Sequence, residues 1–158
     1  IESRGEHDRP HLQADASIPA LDREIERPHG TRGRDQFRAR VEIDPGMVKK
    51  CRENLKKVGL QDTVTCIEGD ALKTLPKLEG KYDFIFIDAV KSDYLKYFKI
   101  IEPKLKPGAV VVGDNVIRSA RAMKDFLDYI QDNPDYDTVI IRASMEKKDG
   151  MSISYKIR

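Results

Sequence analysis

The stretch YDFIFID, residues 82–88, decides how the chain is read. Phe84 to Ile87 is an unbroken apolar run, too short for a helix and bounded by charge. Such a run predicts a strand buried on both faces, which is what a parallel sheet covered by helices requires. It stops abruptly on a carboxylate, Asp88, and a cation, Lys91, follows three residues later. A core strand that finishes on charge needs a reason for the charge.

Working outward, the same alternation recurs. RVEID (40–44) reads as a short buried strand, and Pro45 then sits where a helix start tolerates its missing N–H. Met47, Cys51, Leu55 and Val58 are expected on the inner face of that helix, with Gly59 as its cap. TVTCIEG (63–69) predicts a strand and DALKTL (70–75) a short helix. Beyond the central run, a helix over 91–102 would turn Tyr94, Phe98 and Ile101 inward. KPGAVVVGDN (106–115) is a turn, a buried strand and a polar ending. A helix over 119–132 would bury Ala120, Met123, Phe126, Leu127 and Ile130. YDTVIIR (136–142) and MSISYKI (151–157), joined across EKKDG, read as an antiparallel strand pair. Alternating strands and helices specify an α/β fold, a doubly wound and mostly parallel sheet with an antiparallel C-terminal strand.

The 158 residues amount to one domain. No apolar run reaches the roughly 18 residues of a membrane helix, no secretory pattern opens the chain, and a cytoplasmic setting is expected. In that setting the two cysteines, Cys51 and Cys66, are expected as reduced core thiols. A net charge of +2 exerts no general pull toward nucleic acid or membranes. Composition divides the chain unevenly. Residues 1–40 hold 8 arginines, no lysine and all three histidines, whereas residues 41–158 hold 16 lysines and 5 arginines. The first block has few large apolar residues and no period, too little to offset the entropy of ordering. Residues 41–158 are therefore expected to be the folded part, and residues 1–40 a tail, a fusion or an out-of-frame stretch.

Four successive strands end on polar groups: Glu42, Gly69-Asp70, Asp88 and Asp114-Asn115. In open α/β sheets ligands bind beyond the carboxyl ends of the strands. Asp88, Asp114 and Asn115 would bring two carboxylates and an amide oxygen together from adjacent strands. Oxygen-only ligation of that kind suits a hard cation such as Mg²⁺, with positions left for water or substrate.

VEIDP, EGDA, YDFIFIDAVKSDY, LKPGAVVVGDNV and the closing DGMSISYK together resemble the metal-dependent S-adenosylmethionine O-methyltransferases of the catechol and caffeoyl-CoA type, over roughly residues 41–158. The resemblance implies a Rossmann-like methyltransferase sheet and methyl transfer to a hydroxyl of a small catechol-like acceptor. It implies that Glu42 accepts from the cofactor ribose hydroxyls and that Gly69, Asp70 and Ala71 lie beside the adenine, with Asp88 also on the cofactor side. Asp88, Asp114 and Asn115 would hold Mg²⁺ or another hard divalent cation, and Lys91 would be the general base. A homodimer without membrane or favoured RNA contact is the accompanying expectation.

The pattern departs from the family at two places. Val90 stands where many members, though not those of the catechol type, carry a second Asp. More consequentially, no hydrophobic strand followed by E-x-G-x-G-x-G precedes VEID; Gly30 and Gly33, in HGTRGR, have the wrong spacing. The strands at 40–44 and 82–88 are then expected to lack the neighbour that would sit between them. Two alternatives follow: a truncated or degenerate methyltransferase-like domain without catalysis, and a transfer-RNA hydroxyl methyltransferase with the same chemistry. A nicotinamide-dependent oxidoreductase is disfavoured, because it needs the same Gly-rich loop and gives GDNV no role.

Overall fold

The structure, a computed structural model, describes residues 38–158. Expectations for residues 1–37 lie outside the described residues. The first strand, β1, is Arg38–Glu42, starting two residues before the expected Arg40. Asp44 then caps the following helix, α1 (Pro45–Lys57), accepting from the Met47 N–H at 2.9 Å, with Pro45 in the first turn. β2 (Val64–Glu68) follows, then α2 (Ala71–Thr74), which continues as a 3₁₀ turn over Leu75–Lys77. β3 is Tyr82–Ile87, and a short turn over Lys91–Asp93 leads into α3 (Tyr94–Ile101). β4 (Leu105–Gly113), α4 (Lys124–Asp132), β5 (Tyr136–Ser144) and β6 (Asp149–Lys156) complete the chain. The alternation expected from sequence is thus present. The helix expected from 119 starts at Lys124, because residues 118–123 form turns.

The strands form two sheets. β1 and β2 pair in parallel, and β3-β4-β6-β5 form the second, with β3 and β4 parallel and β6 antiparallel to both its neighbours. Among the described residues no strand bridges β1 and β3. α2 and the turn after it span the divide: Ala71, Leu72 and Leu75 pack against the core of the larger sheet.

That core lies between α3, α4 and one face of the sheet. Tyr94, Phe98 and Ile101 of α3, Phe126 and Ile130 of α4, and Ile87, Ala109 and Val111 of the strands are buried, with Met123 just before α4. Phe98 meets Phe126, Tyr129 and Tyr136 with ring centroids 5.5–5.8 Å apart, in the edge-to-face or tilted arrangements that aromatic quadrupoles favour. The opposite face corrects the reading of YDFIFID as doubly buried. Phe84 and Phe86 are 57% and 51% exposed. Register places them in line with Val110 and Tyr155, and with Val112, Ile153 and Val139. Both helices pack on the other side, so among the described residues this apolar face has no helix over it.

Two expectations for α1 are also corrected. Val48 is its buried residue, while Met47 and Val58 are exposed, because the contact stripe runs Val48, Cys51, Leu55 and Val58 falls beyond the helix end. Cys51 and Cys66, expected as reduced thiols, form a disulfide with S–S 2.01 Å, because α1 packs over β2 and brings their Cα atoms to 6.7 Å. The bond closes a sequence separation of 15, for which chain entropy gives about 3 kcal/mol. Dithiothreitol, or Cys51→Ser, is therefore expected to lower the denaturation midpoint of the β1–α1–β2 unit. An unchanged midpoint would show that the bond stabilises nothing.

Candidate functional site: two clusters at the strand ends

Ile87 and Gly113 are register partners in the parallel β3–β4 pair, so the next residues, Asp88 and Asp114, leave adjacent strand ends about 4.8 Å apart. The Asp114 N–H donates to the Ile87 carbonyl at 3.0 Å, extending the ladder by one bond. Asn115 follows with φ 59°, a left-handed conformation that Asn tolerates better than most residues. Its N–H donates to Asp114 Oδ1 at 2.8 Å, and its side-chain Nδ2 donates to Asp149 Oδ2 at 3.2 Å. Among the described residues, Asp88 Oδ2, Asp114 Oδ2 and Asn115 Oδ1 take part in no further hydrogen bond.

No group of three or more His, Cys, Asp or Glu able to hold a metal occurs among the described residues. A cation here would depend on two carboxylates and the Asn115 amide oxygen. Those donors are hard, carry two negative charges and come from adjacent backbone positions, so their chemistry fits a magnesium-type ion.

Lys91 reaches back across the turn. Its Nζ donates to Asp88 Oδ1 at 2.9 Å and to Tyr94 Oη at 2.8 Å. The Tyr94 hydroxyl, on a fully buried ring, lies 3.0 Å from the Ile87 carbonyl and 3.1 Å from the Asp114 carbonyl, so its single proton is offered to the ends of both strands. Burial pulls the Lys91 pKa down, but the hydrogen bonds to Tyr94 and Asp88 outweigh it and the pKa is raised. The lowered pKa expected of a general base is thus not the state of the ion-paired lysine, which is a firm ammonium. Asp88 is half exposed in that pair, so the pair itself contributes no more than about 1 kcal/mol.

On the smaller sheet Glu42 ends β1 opposite Glu68, and the Gly69 N–H donates to the Glu42 carbonyl at 2.9 Å. The Glu42 carboxylate accepts from Asp44 N–H at 3.2 Å and Arg40 at 2.9 Å, and these bonds, in that order, hold its pKa below the ordinary value. Each oxygen keeps acceptor capacity, so a pair of ribose hydroxyls fits. Asp70 caps α2, accepting from Leu72 N–H at 2.9 Å, and Ala71 packs into the core.

The predicted residues therefore gather in two clusters: Asp88, Lys91, Asp114 and Asn115 on the larger sheet, and Glu42, Gly69, Asp70 and Ala71 on the smaller. Among the described residues no hydrogen bond joins one cluster to the other. Two contributors escaped the sequence reading. Tyr94 was assigned to the core by its helical period, although its spacing of three from Lys91 puts both on one side of the turn. Asp149 lay in a motif to which no role was given.

A family model described as O-methyltransferase matches residues 35–147. A catechol O-methyltransferase from Mycobacterium tuberculosis is 34% identical over 107 residues, covering 67% of this chain and 46% of that protein. One from Niastella koreensis is 35% identical over 89 residues, covering 54% and 40%. The chain thus spans less than half the length of these relatives. Among solved structures, an O-methyltransferase from Bacillus cereus in complex with SAH superimposes with a TM-score of 0.69 at 25% identity, over 75% of this chain and 61% of that one. The family model spans 35–147, which includes both strand-end clusters, and the chain belongs to the S-adenosylmethionine-dependent O-methyltransferase family.

Proposed function

We propose that this protein transfers the methyl group of S-adenosylmethionine to a hydroxyl of a small, catechol-like acceptor with the help of Mg²⁺. The observation that carries the reading is the position of Asp88 and of Asp114-Asn115 at adjacent strand ends, with Lys91 on Asp88. The catechol class is supported by the names of the relatives matched. Asp88, Asp114 and Asn115 would hold the cation, which lowers the acceptor's phenolic pKa from about 10 and orients it. Glu42 accepts from the ribose hydroxyls, and Gly69, Asp70 and Ala71 border the adenine. Lys91, held between Asp88 and Tyr94, stands next to the acceptor oxygen. It could take the proton only after releasing one of its own to solvent, because the ammonium paired with Asp88 has no lone pair to accept with. A cytoplasmic homodimer is part of the reading, and in a reducing cytosol the Cys51–Cys66 bond would be a reversible one. A small acceptor is favoured over RNA by the names of the relatives matched, and Lys91, the cation beside Asp88, is engaged by that carboxylate. The test is magnesium-dependent conversion of S-adenosylmethionine with a catechol, comparing the native chain with Asp114→Ala.

A second reading, a methyltransferase-like unit without catalysis, is favoured by the break in the sheet between β1 and β3. Isothermal titration with S-adenosylmethionine discriminates the two. Among the described residues the groups assigned to the cofactor, Asp88 apart, lie on its adenosine side, so we expect a weak Kd, on the order of 0.1–1 mM, or about 4–5.5 kcal/mol. Micromolar binding would refute that expectation, and no binding at all would favour the second reading.

A further inference from the structure

We propose that Asp149 is a positioning residue that fixes which edge of the Asn115 amide faces the strand-end cluster, an inference that rests on the cation-assisted reading above. Asp149 opens β6 and is 5% exposed. Its Oδ1 accepts from the backbone N–H groups of Gly150 at 2.8 Å, Arg118 at 3.1 Å and Ile117 at 3.3 Å, and its Oδ2 accepts from Asn115 Nδ2 at 3.2 Å. Gly150 makes this approach possible. A Cβ there would stand 2.0 Å from the Ile141 carbonyl, so the residue after Asp149 must be glycine for β6 to lie against β5.

The backbone bonds and the side-chain bond have different consequences. The turn after Asn115 is tethered independently, by Val116 N–H to the Gly150 carbonyl at 3.0 Å and Ser119 N–H to the Asn115 carbonyl at 3.1 Å. The Asn115 amide could therefore rotate by half a turn without moving the chain. What decides its orientation is that a carboxylate only accepts hydrogen bonds. The NH₂ edge must face Asp149, and Oδ1, the edge able to ligate a cation, must face away from it. Without that partner, amide nitrogen and oxygen are nearly interchangeable in shape and half of the orientations would offer a cation the wrong edge.

The test is chemical inversion of the pair. In Asp149→Asn the new amide can still accept the backbone N–H groups through its oxygen, but it offers NH₂ to residue 115, and Asn115 turns its oxygen inward. Mn²⁺ affinity, read by electron paramagnetic resonance of the free ion, is expected to fall about 10–100-fold, the usual cost of losing an outer partner of a ligand. Asn115→Asp alone should also weaken Mn²⁺ binding, despite the added charge, because two carboxylates then oppose each other. The double variant Asn115→Asp/Asp149→Asn restores a donor–acceptor pair in reverse and is expected to return to within about threefold of the native affinity, a coupling that independent sites do not show. A structural role alone predicts no rescue. Unchanged affinity in Asp149→Asn, tighter binding in Asn115→Asp, or no rescue would each overturn the proposal. If Asp149→Asn does not fold, Asn115→Asp and the double variant decide. If the native chain binds no Mn²⁺, the cation reading fails by itself. The Asn115 side-chain NH₂ resonances then carry the test: a shift in Asp149→Asn upholds the orienting role and an unmoved signal ends it.

Discussion

Phe126→Ala is expected to destabilise the larger sheet by about 3–5 kcal/mol, enough to leave much of the chain unfolded at room temperature. The ring is fully buried on α4 and meets Tyr94 edge-on with centroids 5.5 Å apart and Phe98 at 5.8 Å. It also closes against β4: a Cβ on Gly113 would lie 3.1 Å from Phe126 and 2.8 Å from Ser152 Oγ. The cavity left by alanine therefore opens directly beneath the strand end that carries Asp114. It also removes the support of Tyr94, whose hydroxyl ties the Ile87 and Asp114 carbonyls. Loss of near-ultraviolet dichroism and a lower urea midpoint would be the readout. The contrast is Val139→Ala on the opposite face, where the side chain is 56% exposed and the loss should stay within about 1 kcal/mol. Equal effects from the two would mean that the helix-covered face is not where the stability lies.

That contrast also marks what the sequence made legible. Helical period in 91–102 and 119–132 identified Tyr94, Phe98, Ile101, Met123, Phe126 and Ile130 correctly, because a helix buries one stripe and the stripe shows in the spacing. The run Phe84–Ile87 could not reveal which of its faces is covered, because both are apolar and the covering elements are remote in sequence. For α1 the spacing put Cys51 and Leu55 on the inner face, and only the approach of β2 starts that stripe at Val48 in place of Met47. The same remoteness hid the disulfide. Strand-end polarity singled out Asp88, Asp114 and Asn115, which follow the ends of two adjacent strands, since a strand cannot end on charge inside a core without a partner or an opening. It could not reveal that Lys91 is held as an ammonium or that Asn115 has its amide anchored by a residue 34 positions away. Those are contacts between loops, fixed by tertiary packing rather than by local pattern.

Asp114→Ala is expected to reduce magnesium-dependent turnover at least about 100-fold, since outer partners of ligands already cost 10–100-fold and this residue would be a direct one. The substitution leaves the hydrophobic core untouched. Asp114 is half-buried, its N–H still donates to the Ile87 carbonyl, and its carbonyl still meets Tyr94. What goes is one of only two carboxylates, together with the acceptor for the Asn115 N–H. Lys91 sharpens the interpretation. Lys91 holds Asp88 Oδ1 at 2.9 Å, so lysine and a bound cation would compete for the charge of that carboxylate. Removing Asp114 tilts that competition toward the lysine. Raised Mg²⁺ should then recover only part of the lost rate, and Lys91→Met should tighten cation binding while slowing turnover. The measurement is initial rate against Mg²⁺ concentration at millimolar S-adenosylmethionine, with thermal melts alongside. A variant that melts like the native chain and turns over equally well would remove the strand-end carboxylates from the reaction, and with them the reason for a core strand to end on Asp88.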